Sequence, residues 1–261
     1  MFMNRKRFGF YPLIAFAMIF FYAGCATPPV TNNMSVMELF AYGKKLLDKE
    51  DYKNAVEVYK KVKFNFPDSK RVATARLKAA DTYYRDEKYE ESAAEYKEFI
   101  KYHAANAQVP FAYYRTGMCN FNQILSADLD QTATEEAIKN FSVVIDEYQN
   151  SPYADIAKDR KYFCERRIAD HEYFIGRFYY ITEQYRPTIK RLTSFIDTFG
   201  DSRMKMRAMG LLAEALWKDE ENEKALKTYK EIAILYPNTA YSKRARQMLR
   251  LYGREYEVEL P

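Results

Sequence analysis

Residues 39–67 read LFAYGKKLLDKEDYKNAVEVYKKVKFNFP, and this stretch decides the fold. Leu39, Tyr42, Gly43 and Leu46 recur at helical spacing, then Ala55, Tyr59 and Val62 do so again before Pro67 halts the second run. Gly43 and Ala55 are small, which lets two antiparallel helices approach closely while the aromatics fill the space between pairs. Working outward, the stop signal recurs as Phe66-Pro67-Asp68-Ser69, Tyr148-Gln149-Asn150-Ser151, Phe199-Gly200-Asp201-Ser202 and Tyr236-Pro237-Asn238-Thr239. Each copy pairs a closing aromatic with a Ser or Thr oxygen able to accept an orphan N–H of the next helix. A stop-and-start phrase repeated this way marks an array of helical hairpins.

Large-x2-large-Gly-x2-large, then Ala-x3-aromatic and Pro, is the tetratricopeptide (TPR) pattern. A second unit has Ala80, Tyr83, Ser92, Tyr96 and Phe99, with Ala104 where Pro is usual. The third has Gly117, Ala137, Phe141 and Val144, with eight extra residues between its helices. The fourth has Gly176, Tyr179, Tyr185, Thr188, Leu192, Phe195 and Gly200, and the fifth Ala213, Leu216, Ala225, Tyr229, Ile232 and Pro237. The expectation is an all-α TPR solenoid of five hairpins closed by a helix over Tyr241–Tyr252. Units one and two and the first helix of unit three take residues 36–121, and a polar insertion loop takes 122–135. The rest of unit three and a long linking helix take 136–181, because Tyr153–Ile181 contains no Pro and only Gly176. Residues 182–252 hold the rest of unit four, unit five and the closing helix, and 253–261 are a tail.

Ahead of the solenoid, Arg5, Lys6 and Arg7 precede an uncharged apolar run, Phe8–Tyr22, then Tyr22-Ala23-Gly24-Cys25. Small residues before a Cys at the end of such a run resemble a bacterial lipobox. Residues 1–24 are therefore read as a signal peptide, Cys25 as a diacylated anchor, and residues 25–35 as anchor plus flexible tether. Two acyl chains hold a protein to a membrane stably where one does not. Ala26 stands where an inner-membrane retention Asp would, which implies the outer membrane.

Removing residues 1–24 removes three of the five net positive charges and leaves +2, so basicity gives no case for nucleic acid. The 24 Tyr and 18 Phe suit the spaces between hairpins and require no ligand. His103 and His171 lie far apart, the eight Gly are scattered, and no metal, cofactor or catalytic constellation is expected. Cys119 and Cys164, among aromatics in different repeats, read as buried free thiols.

The lipoprotein signal, five TPR units, the unit-three insertion and the long helix together resemble the BamD family of the outer-membrane β-barrel assembly (BAM) machinery. Ala137–Tyr180 carries the likeness best, through Phe141-Ser142, Tyr148–Tyr153 and Glu172–Tyr180. The resemblance implies a non-enzymatic adaptor on the periplasmic face of the outer membrane. Its carboxy-terminal units would dock the POTRA domains of a BamA-like barrel protein, and its amino-terminal units would engage unfolded outer-membrane proteins. TPR groove positions give Phe40, Lys44, Leu77, Asp81, Tyr84, Arg85, Tyr114, Met118 and Phe121 for the peptide. Leu77, Met118 and Phe121 can equally be packing residues. For the docking surface they give Tyr173, Arg177, Tyr180, Arg207, Glu214, Trp217 and Lys218, with Trp217 either an interface anchor or packed on the closing helix. The alternatives are a TPR lipoprotein coordinating envelope or cell-division proteins and a SusD-type glycan-binding lipoprotein.

Overall fold

The computed structural model describes residues 33–258, so the expected signal peptide, Cys25 and most of the tether lie outside the described residues. Within them the secondary structure is all helical: α1 (Val36–Leu47), α2 (Tyr52–Asn65), α3 (Val72–Arg85), α4 (Tyr89–Tyr102), α5 (Val109–Phe121), α6 (Thr132–Glu147), α7 (Ala154–Ile181), α8 (Tyr185–Thr198), α9 (Lys205–Lys218), α10 (Asn222–Leu235) and α11 (Ala240–Tyr252). Each helix packs on the next, which gives five antiparallel pairs and a closing helix. Helix α5 also touches α7, α7 touches α9 and α9 touches α11, so these four odd-numbered helices form an inner row.

The small residue of each first helix sits where the steric argument requires. A Cβ on Gly43 would lie 2.7 Å from the Tyr59 ring, one on Gly117 2.6 Å from Phe141, and one on Gly176 2.4 Å from Leu192. Hairpin turns repeat too: Glu50, Glu87, Glu183 and Glu220 each leave a first helix at positive φ, between 56° and 64°. The residue ending each second helix is Phe66, His103, Tyr148, Phe199 or Tyr236, all near φ −130° and ψ 50°. His103 thus heads a fifth copy of the stop phrase, His103-Ala104-Ala105-Asn106, which its lack of an aromatic hydrocarbon and of Pro conceals. Ser69, Asn106, Ser151 and Ser202 each accept a backbone N–H two residues on, and Thr239 accepts that of Ser242 as the N-cap of α11.

Four cores run along the chain. The first surrounds Tyr59, the second Tyr96 and Phe99, the third Phe141, and the fourth Phe195 and Tyr229. Helix α7 runs unbroken for 28 residues and belongs to two of them: Ala157 and Cys164 pack with Phe141, Ala169 with Leu192 and Phe195. Cys119 and Cys164 are free and buried. The insertion is shorter than expected, because α6 begins at Thr132. Asp130 accepts the Thr132 N–H at 3.0 Å, and buried Gln131 bonds Ser126, Leu129 and Thr134, so these polar residues start a helix instead of prolonging a loop. Across the insertion, His171 Nδ1 lies 2.6 Å from the Ala127 carbonyl oxygen and ties the loop to α7.

Candidate binding surface on the inner helices

Asp81 on α3, Tyr96 on α4 and Arg115 on α5 meet between units two and three. The Tyr96 hydroxyl donates to Asp81 and accepts from Arg115 Nε at 3.0 Å, while Arg115 Nη2 lies 3.6 Å from Asp81. Burial, then the Asp81 charge, pushes the Tyr96 phenol far above the ordinary tyrosine range, so it stays a donor. The guanidinium also stacks 3.7 Å above the Tyr84 ring, whose hydroxyl accepts from Asn122 at 2.8 Å. Of the sequence-derived peptide residues, Asp81 and Tyr84 therefore share one polar cluster, with Arg115 as an unforeseen centre.

Tyr114, Met118 and Phe121 gather elsewhere, along α5 against the third core. Tyr114 stacks on Tyr153 at 5.5 Å, and Phe121 packs on Phe163 at 5.1 Å beneath the Arg160 guanidinium. Phe40 packs on Tyr59 and faces the Arg71 guanidinium, whereas Lys44 and Arg85 are exposed. Leu77 is corrected: at 4% exposure it lies in the second core, because its position points between α3 and the following pair, so it offers no surface to a ligand.

In the carboxy-terminal half, Glu214 on α9 accepts from Arg244 Nε on α11 at 3.1 Å, beside Tyr229 on α10. Tyr180 packs edge-on to Tyr185 at 6.2 Å, and Glu214 raises its phenol after burial does. Tyr173 is half-buried against Phe195. Arg177, Arg207 and Lys218 are exposed. Trp217 does not stand free in the groove: its ring lies 4.7 Å from that of Tyr252 and packs on the fourth core. A lone Trp in a charged stretch gives no sign of this, because its partner is 35 residues away in the closing helix. Phe174, Phe178 and Ile181 make an exposed apolar stripe along α7 beside Arg177.

Tyr96 and Tyr229 were legible as packing aromatics; their polar tips were not. The available signal was an acid at the groove position with a tyrosine 15 residues later, present in units two and five alone. Among the described residues, no group of three or more His, Cys, Asp or Glu is placed to hold a metal ion, and no helix is long and apolar enough to cross a membrane.

A sequence profile of the YfiO family, described as outer membrane lipoprotein, matches residues 32–222. The chain belongs to the YfiO family. Several YfiO-like relatives carry the name outer membrane protein assembly factor BamD. That of Rickettsia prowazekii is 26% identical over 231 residues, covering 88% of this chain and 92% of that protein. That of Caulobacter vibrioides is 26% identical over 239 residues, covering 91% and 78%. Among solved structures, the TPR2AB-domain of yeast Sti1 in complex with pHSP90 aligns over 85% of each chain at 15% identity and a TM-score of 0.43. The YfiO match contains the Asp81–Tyr96–Arg115 cluster and stops at the start of α10, ahead of Tyr229 and Arg244.

Proposed function

We propose that this YfiO-family chain is a non-enzymatic adaptor of outer-membrane β-barrel assembly, anchored at the periplasmic face of the outer membrane by diacylated Cys25. Coverage carries the reading. Relatives named outer membrane protein assembly factor align with four-fifths or more of the chain, and so with both halves of the inner face. Units one to three take extended segments of unfolded outer-membrane proteins through Phe40, Lys44, Asp81, Tyr84, Arg85, Tyr114, Met118 and Phe121. Aromatic rings flanked by single charges suit a peptide with alternating apolar side chains. Units four and five dock a BamA-like POTRA-barrel protein through Tyr173, Arg177, Tyr180, Arg207, Glu214 and Lys218. The exposed stripe Phe174, Phe178 and Ile181 beside Arg177 has the aromatic-and-Arg composition of an interface centre.

Affinity isolation of the tagged full chain from detergent-solubilised outer membrane tests the reading. A POTRA-bearing barrel protein should co-purify; recovery of cell-division or peptidoglycan-associated proteins in its place would overturn it. Cys25→Ser should release the protein from the membrane fraction or leave it unprocessed. Wild type without the mass of a lipid would remove the anchor from the proposal.

A further inference from the structure

Antiparallel packing puts the start of α1, the end of α2, the start of α3 and the end of α4 at one edge of the first two units. Three large apolar side chains stand exposed there, Met37, Phe64 and Tyr102, and Phe64, at 86% exposure, adds almost nothing to the packing of the fold. Lys61 lies one helical turn before Phe64 on the same face of α2. Lys70, Arg71 and Lys101 are exposed around them. Among the described residues none of these four cations enters an ion pair, whereas Lys60, Lys63 and Arg76 nearby each do. The acids left at this edge are Glu38, engaged in capping α1, and Asp68.

The repeat does not ask for these residues. Counted back from the residue that ends each second helix, the positions of Phe64 and Asn65 hold Lys101 and Tyr102 in unit two, Asp146 and Glu147 in unit three, Asp197 and Thr198 in unit four, and Ile234 and Leu235 in unit five. Rings and cations therefore coincide in units one and two, and the same edge turns acidic in units three and four. The chain also enters the fold here. Asn33, the first described residue, stands eight residues after Cys25, and eight residues reach at most about 29 Å. Acyl chains on Cys25 would hold this edge beside the bilayer.

We propose that the edge formed by Met37, Lys61, Phe64, Lys70, Arg71 and Lys101 is a seat on an anionic lipid surface next to the anchor. The anchor comes from the adaptor reading, on which this inference rests; the seat comes from the edge. Cations are drawn to phosphate headgroups, and exposed Phe and Met side chains bury at the boundary between headgroups and acyl chains. Two acyl chains already retain the protein, so what the seat contributes is orientation. It sets which edge of the solenoid lies on the membrane, and so how the inner helices are presented.

The test uses the full mature chain with Cys25→Ser, so that no acyl chain contributes. It is floated with vesicles of phosphatidylethanolamine and phosphatidylglycerol, or of phosphatidylcholine alone. The chain should float with the anionic vesicles, less so at high salt, and not with the neutral ones. Lys70→Glu with Lys101→Glu should cut that binding about twentyfold or more, at roughly fivefold per cation. Phe64→Ser should weaken it about threefold or more. Lys49→Glu with Lys53→Glu, exposed at the opposite end of unit one, should leave it intact. All these sites are exposed, so the thermal midpoints should not move. No binding to anionic vesicles, equal binding to both kinds, or an equal loss from the Lys49 and Lys53 changes would each overturn the seat. Edge variants that keep vesicle binding but lose the barrel protein on affinity isolation would give the edge to a protein and overturn it too. Failure of the anchor is read separately, as wild type without the mass of a lipid, so the two failures are distinguishable.

Discussion

Tyr96 and Tyr229 occupy equivalent packing positions, yet removing one oxygen should cost more at Tyr96 than at Tyr229. Tyr96→Phe deletes a donor to Asp81 and an acceptor for Arg115, leaving both charges under-satisfied in a half-buried site. The expected cost is about 1.5–3 kcal/mol, as for hydrogen bonds to charged groups. Tyr229→Phe should cost less, because the Tyr229 hydroxyl lies beside Glu214 and Arg244 without the close hydrogen bonds that Tyr96 makes, and paired chemical denaturation of the two variants against wild type checks the contrast. The thiols give a second expectation. Burial pushes Cys119 up to about 11 and Cys164 up to about 12, against 9.0 for an unhindered thiol. Well below pH 9, at about pH 7 and under, neither state ionises these groups and they contribute no pH dependence. As pH rises from about 8 through the folded values, the unfolded chain loses protons first and stability falls. Cys164→Ala should flatten the denaturation midpoint over that window. In Cys25→Ser protein, iodoacetamide at pH 8 should leave both remaining thiols unlabelled until the chain unfolds.

At the scale of the helix, the hairpin turns are built alike but not at least cost. Glu50, Glu87, Glu183 and Glu220 occupy the left-handed region, which disfavours a residue with a Cβ by roughly 1–2 kcal/mol. Glycine relieves that strain and loses some of the gain to its greater freedom when unfolded. Glu87→Gly, at an exposed turn without an ion pair to Glu87, should therefore stabilise by about 0.5–1 kcal/mol, or roughly 1–4 °C in calorimetry. A lowered midpoint would show that the turn relies on the side chain. These turns also show what the sequence could reveal. Gly43, Gly117 and Gly176 announced helix pairs because a Cβ there collides with the facing side chain. The unit-two stop was hidden because His103 and Asn106 replace the aromatic and the hydroxyl, although both keep the same backbone and cap. The start of α6 was hidden because Asp130, Gln131 and Thr132 read as loop residues until their mutual bonds are known. Asp81 and Glu214 were legible from register, whereas Arg115 and Arg244 were not, since each reaches its acid only once the next hairpin is stacked.

For the molecule as a whole, repeats usually communicate only with their neighbours, and arrays fray from their ends. Helix α7 changes this, because one continuous element contributes side chains to the third core at one end and the fourth at the other. Unfolding should accordingly be more cooperative than in a solenoid of separate hairpins. Ile168→Pro removes an internal hydrogen bond midway and costs about 3 kcal/mol locally. Its calorimetric trace should split into two transitions, one per half; a single transition shifted to lower temperature would mean that side-chain packing alone joins the halves. Trp217→Ala belongs to the same scale. The lost contact with Tyr252 loosens the closing helix, so the expected effect is about 1–3 kcal/mol of stability in the carboxy-terminal half, less than for a fully buried Trp because Trp217 is only partly buried.

A stiff rod shared by two bodies is also a lever. At 1.5 Å per residue α7 is about 42 Å long, so a tilt of roughly 10° at one end carries the other by about 7 Å. Unit three clamps its first half and units four and five its second; on the proposed adaptor reading, a small closure around a bound chain at one end would be geared up at the other. Two surfaces joined in this way would need no shared residue for a change at one to reach the other.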